Sequence, residues 1–117
     1  MRKFILAAAL SAFAMPAFAI GNVSVVGQAG FGNAQGTFQN GNFNASATGQ
    51  AGLANTSVTN QLGSFNLSGT GQVGALHNST TTQIGLGNAS GTLQTSIGNL
   101  SSTTQVGAGN VSITQQN

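Results

Sequence analysis

The chain has 117 residues, and with two Lys+Arg and no Asp or Glu it is 2% charged, against about 25% for an ordinary soluble domain. Without carboxylates or cysteines, and with one histidine, it cannot assemble an acid–base pair, a catalytic triad or a one-chain metal site. The absence of cysteine also removes any disulfide framework, so no catalytic, cofactor-binding or metal site is expected, and the chain is not read as an enzyme.

Both cations, Arg2 and Lys3, precede the apolar run Phe4–Phe13. That is the layout of a secretory signal peptide, with a basic n-region and a short h-region. Pro16 stops the run and Ala17-Phe18-Ala19 supplies a small-x-small cleavage pattern, so cleavage is expected after Ala19 and Ile20–Asn117 is the mature chain. The net charge of +2 then belongs to the leader. A nucleic-acid partner needs cations to displace phosphate counterions, and none is expected. The h-region is too short to span a bilayer, and nothing after it is continuously apolar, so no transmembrane segment is expected in the mature chain.

From Asn22 onward the sequence repeats every 11 residues. Glutamine recurs at Gln28, Gln39, Gln50, Gln61, Gln72, Gln83, Gln94, Gln105 and Gln116 without a slip. Six residues ahead of each stands Asn22, Asn33, Asn44, Asn55, Asn66, Asn88, Asn99 or Asn110, with His77 in the one remaining place. Serine follows two positions after the Asn except at Gln35, and threonine two further on except at Val26. Two after the Gln comes Gly30, Gly41, Gly52, Gly63, Gly74, Gly85 or Gly107, with Ser96 as the exception. The unit is Asn-x-Ser-x-Thr-x-Gln-x-Gly-x-x, nine times over, the last truncated.

Fixed residues at positions one, three, five and seven share one face of an extended strand, because side chains alternate across it. Gln-x-Gly-x-x-Asn reads as the turn, since glycine and asparagine tolerate φ > 0. The expected strand is therefore six or seven residues long, and such a strand must pair or stack to bury anything. A weaker 22-residue period lies over the first: Gly27, Gly49 and Gly71 hold the sixth position in alternate units, and Phe43 and Phe65 are also 22 apart. The expected fold is thus all-β, a cross-β solenoid of 11-residue strand-turn units, two units per coil, with two facing parallel sheets. Coils would stack at about 4.8 Å, each fixed residue over its counterpart.

Asn44-Ala45-Ser46-Ala47-Thr48-Gly49-Gln50-Ala51-Gly52 resembles the curlin repeat of bacterial curli subunits, Asn-x-Ala-x-aliphatic-x-Gln-x-Gly. The resemblance runs through the whole mature chain. It implies a secreted subunit that polymerises into an extracellular, cell-surface cross-β fibre serving biofilm matrix, adhesion and aggregation. Its partners would be further copies of itself, a second curlin-like subunit and an outer-membrane export apparatus. The chain departs from the pattern in three ways. Ser and Thr replace small and aliphatic residues, the repeats start at Asn22 with no Gly/Asn-rich export segment before them, and scattered charges are missing.

The fixed Asn/Ser/Thr/Gln face is expected inside, where stacked amides satisfy one another as ladders. The variable, partly apolar face is expected outside, open to lateral association. His77 reads as an Asn replacement. The Asn-x-Ser sequons are by-products of the repeat, Gly-x-Gly pieces such as Gly30-Phe31-Gly32 are turns, and Phe31, Phe38, Phe43 and Phe65 are expected at turn corners. Two other functions fit the same pattern: a monomeric binding solenoid presenting Ser-x-Thr rows outward, as ice-binding solenoids resemble, and a surface-bound nucleator of another fibre subunit.

Overall fold

The computed structural model describes residues Ile20–Asn117; the expected leader and its cleavage site after Ala19 lie outside the described residues. Each 11-residue unit makes one strand: β1 (Val23–Phe31), β2 (Ala34–Asn42), β3 (Ala45–Leu53), β4 (Thr56–Ser64), β5 (Leu67–Ala75), β6 (Asn78–Leu86), β7 (Ala89–Ile97), β8 (Leu100–Ala108) and β9 (Val111–Gln116). Odd-numbered strands form one parallel sheet in the order β1-β3-β5-β7-β9, and even-numbered strands form the other, β2-β4-β6-β8. Strands therefore alternate between two sheets, and every pairing joins residues 22 apart, as in Ser46↔Ser68, Thr48↔Thr70 and Gln50↔Gln72. The chain is a β-solenoid with two units per coil, as the 22-residue period implies.

The interior contains no buried hydrophobic side chain among the described residues. Its columns are Asn, Ser, Thr and Gln, with His77 completing one of them: Asn55, Ser57, Thr59 and Gln61 are each at most 1% exposed. The apolar residues face outward, Val25 at 60%, Leu67 at 54% and Val73 at 54% exposure. The expected choice of buried face is the observed one. The Ser-x-Thr rows consequently face inward, and the outward lattice required by the ice-binding alternative is not on the surface.

The strands run nine residues in the first eight units, longer than the expected six or seven. The column glycines expected in turns lie inside the ladder, as in Gly52↔Gly74. The reason is that parallel stacking continues around a bend: each bending residue still hydrogen-bonds its copy in the next coil, even as the chain changes direction. The bend is nonetheless real at these positions. Gly63 has φ 114°, and a Cβ there would sit 2.0 Å from the Gly85 carbonyl oxygen, so only glycine fits. A second positive-φ position, directly before each Asn, escapes sequence reading because its residues vary: Phe43 (55°), Ala54 (53°), Phe65 (59°) and Leu76 (60°) occupy it beside several glycines. Phe43 and Phe65 stack there with ring centroids 5.3 Å apart, whereas Phe38 lies within β2 and faces outward.

Ser96 stands where the column otherwise has glycine, and it is held at φ 85°. An L-residue in the left-handed region costs about 1–2 kcal/mol. Ser96→Gly is therefore expected to stabilise the solenoid by about 1 kcal/mol in denaturant unfolding; a loss of stability would show that the serine side chain compensates for its backbone.

Candidate self-assembly site

The glutamine columns form two continuous ladders. In the odd-strand sheet Gln28 Nε2 donates to Gln50 Oε1 at 2.7 Å, Gln50 to Gln72 at 2.7 Å, Gln72 to Gln94 at 2.8 Å and Gln94 to Gln116 at 2.8 Å. Gln39, Gln61, Gln83 and Gln105 repeat this in the even-strand sheet at 2.7–2.8 Å. Each amide from Gln39 to Gln116 also donates across to the facing sheet: Gln50 Nε2 to the Ala34 carbonyl at 3.0 Å, Gln72 to Thr56 at 2.9 Å, Gln83 to Leu67 at 2.9 Å. A carbonyl only accepts, so this second contact sets which end of the amide carries nitrogen. It thereby sets the direction of the ladder.

The asparagine column works differently from the expected amide-on-amide stack. Its Oδ1 accepts the backbone N–H of the next Asn along the axis, as Asn44 Oδ1 does from Asn66 N at 3.0 Å and Asn66 Oδ1 from Asn88 N at 3.1 Å. Its Nδ2 donates to two backbone carbonyls of a bend, for Asn66 those of Leu62 at 3.3 Å and of Gly85, one coil on, at 3.2 Å. Only Asn88 onto Asn66 and Asn110 onto Asn88 bond side chain to side chain, both at 3.1 Å. The asparagines thus pin the bends, and the glutamines join the sheets.

His77, 1% exposed, reproduces both functions of the asparagine it replaces. Its Nε2 lies 3.1 Å from the Val73 carbonyl oxygen, and its Nδ1 accepts from Asn99 N at 3.3 Å. These partners require the neutral tautomer with hydrogen on Nε2, because a carbonyl cannot donate and a backbone N–H cannot accept. The side chain is fully engaged by the scaffold. Among the described residues no group of three His, Cys, Asp or Glu side chains could hold a metal ion, and no helix is long and apolar enough to cross a membrane.

The serine and threonine columns are left without such partners. The hydroxyls of Ser46, Ser57, Ser68, Ser79, Ser90 and Ser101 and of Thr48, Thr59, Thr70, Thr81 and Thr92 are buried and make no hydrogen bond. Geometry explains the contrast with glutamine. Copies about 4.8 Å apart along the axis are too far for an O–H···O contact of about 2.7–2.8 Å, whereas a primary amide carries its donor and acceptor on opposite sides and bridges the gap.

At the two ends of the described stack the ladders stop in opposite senses. The Oε1 atoms of Gln28 and Gln39 receive no donor among the described residues, while Gln105 and Gln116 each donate only to the facing sheet, to Ala89 and Leu100, and keep a second N–H. The column glycines Gly30, Gly41, Gly52, Gly63, Gly74, Gly85 and Gly107 line the bends with φ between 114° and 131°. The sequence marks all of these positions by column, but not the cross-sheet bond of glutamine, because its acceptor is the backbone of a variable residue. No family model matches the chain, and no curated protein is significantly similar to it.

These geometries separate two substitutions that volume alone would equate. Gln83→Leu strands the Gln61 N–H and the Gln105 Oε1 and removes the second bond to the Leu67 carbonyl, and buried unpaired groups cost about 1–3 kcal/mol each; a loss of at least about 2 kcal/mol is expected. Thr81→Val removes a hydroxyl with no partner and is expected to be neutral or stabilising. Urea unfolding of the two variants checks this, and similar losses from both would show that the hydroxyl columns carry as much as the ladders.

Proposed function

We propose that this protein is the structural subunit of an extracellular, curli-like functional amyloid fibre, secreted through its leader and serving adhesion and biofilm matrix. The observation that carries this reading is the directional glutamine ladder. One end of the stack offers amide oxygens and the other offers amide hydrogens, so a second copy stacked head to tail completes both ladders in register. Head-to-head stacking would set oxygen against oxygen. The backbone of the end strands adds unpaired N–H and C=O groups, and no charge or proline in Ile20–Asn117 blocks them, the features by which natural edge strands avoid recruitment.

Burial points the same way. The fixed columns are buried in the middle coils, yet all of β1 is exposed. Val26, the apolar exception in the threonine column, is 45% exposed there, and it would be covered by an added coil. Elongation in this reading is edge-strand recruitment: an incoming chain lays its unit on the end coil, and asparagine and glutamine columns align it by their bonds.

Purified protein is expected to form thioflavin-positive fibres with reflections near 4.7 Å and 10 Å, and Gln28→Leu to slow elongation several-fold more than Val25→Ala. A protein that stays monomeric over days, or equal slowing by the two variants, would overturn the reading.

A further inference from the structure

The two outer faces of the solenoid are not alike. On the odd-strand sheet every outward position within the strands is Val, Ala, Gly, Leu, Ile or, at Phe31, Phe, except Thr95 and Gln115. On the even-strand sheet about half are Thr, Asn or Ser, among them Asn60, Thr80 and Thr104.

The glycines sharpen the difference. Those in the bends are required by positive φ or close backbone approach. Gly27, Gly49 and Gly91 have neither: their φ is not left-handed and a Cβ would meet nothing within 4 Å. Gly69 is nearly as open, and Gly71 is approached only by the Leu93 side chain, 3.2 Å from its would-be Cβ. Glycine inside a strand costs about 0.5–1 kcal/mol relative to alanine, and it marks a bulge, a tight bend or the close approach of another backbone or ligand; the unbroken register at these positions leaves the last. All five lie on the odd-strand face; the even-strand face has one counterpart, Gly36. Gly27, Gly49 and Gly71 line a groove along the axis, and Leu93 continues the same row as a knob.

We infer that the outer face of the odd-strand sheet packs against the same face of a second copy, the Leu93 knob of each entering the glycine groove of the other. A two-fold axis parallel to the strands reverses coil order while keeping position along the strand. It sets β7 of one copy over β3 of the other, placing Leu93 at Gly49, with Gly71 opposite Gly71. The occupant is a second copy because the groove and its complementary knob lie on one uncharged apolar face, so nothing repels a like partner. Five strands at about 4.8 Å by roughly 20 Å of strand length give on the order of 500 Å² per copy. That is near the largest apolar patch a monomer usually exposes, about 300–600 Å², and a pair would bury about 1,000 Å², the lower bound for a specific interface. Because a copy has nine strands, continuing both ladders turns each successive copy half a turn about the axis, so the odd-strand faces alternate between the two sides of a fibre and join it to neighbours on either side; the inference deepens the fibre reading without depending on it.

The test is mass per length of wild-type fibres by electron microscopy, beside Gly49→Lys and Gly36→Lys, two sites equally open to a new side chain. The expected result is two or more laterally joined solenoids per cross-section in wild type and Gly36→Lys, and one in Gly49→Lys. A single solenoid in wild-type fibres, or the same response to both lysines, overturns the pairing and leaves the fibre reading intact. If no fibre forms, the fibre reading fails, and sedimentation of the soluble protein decides: a dimer split by Gly49→Lys and not by Gly36→Lys supports the pairing, and a monomer overturns it.

Discussion

The glutamine amide bonds in two directions at once, and the rest of the architecture depends on this. One N–H runs along the axis to the next coil and the other crosses to a backbone carbonyl of the facing sheet, as in Gln72 with Gln94 and Thr56. The first contact sets register between coils and the second holds the sheets together. In an ordinary sandwich that second function belongs to interdigitated apolar side chains. Here no buried hydrophobic residue is present among the described residues, and the column would fail if its amides could not satisfy both donors. A leucine of similar size would fill the space but join nothing.

This arrangement places a strict condition on every neighbour. In a polar interior every buried group without a partner costs free energy, and the columns meet the demand for partners unequally. Glutamine meets it, asparagine meets it from Asn33 onward, His77 meets it by offering one donor and one acceptor at the same places, and most serine and threonine hydroxyls do not. The Ser and Thr columns keep the gap between sheets narrow, since the small side chains let the glutamines reach across. They add little bonding of their own. The tight bends follow from the same stacking, because each bend must nest on the one beneath it, and a Cβ at Gly30, Gly41, Gly52, Gly63, Gly74 or Gly85 would collide with the carbonyl of the next coil.

Much of this was legible in the sequence for one physical reason: in a stacked solenoid every structural demand recurs at the coil period. The unbroken column from Gln28 to Gln116 and the 22-residue spacing of Gly27, Gly49 and Gly71 therefore disclose the strands, the two sheets and the buried face. Demands met by backbone do not recur in side-chain identity. The left-handed position held by Phe43, Ala54, Phe65 and Leu76 is one such case, and the carbonyl that receives each glutamine is another. The asparagines were legible as a column but not in what they bind, which is mostly main chain. The contrast between the two outer faces was hidden for a different reason. Read as one pooled set, the outward positions look irregular, and only their assignment to alternate sheets separates an apolar face from a half-polar one.

The account stands most directly on the bonding of the glutamine side chains, and side-chain amide hydrogen exchange by NMR reads it without any substitution. The account predicts that both Nε2 hydrogens of Gln61, Gln72 and Gln83 exchange as slowly as the backbone amides of the central strands. For Gln105 and Gln116 in the unassembled protein, it predicts one protected hydrogen and one fast. Exchange of the central glutamines at the rate of a free amide would contradict it.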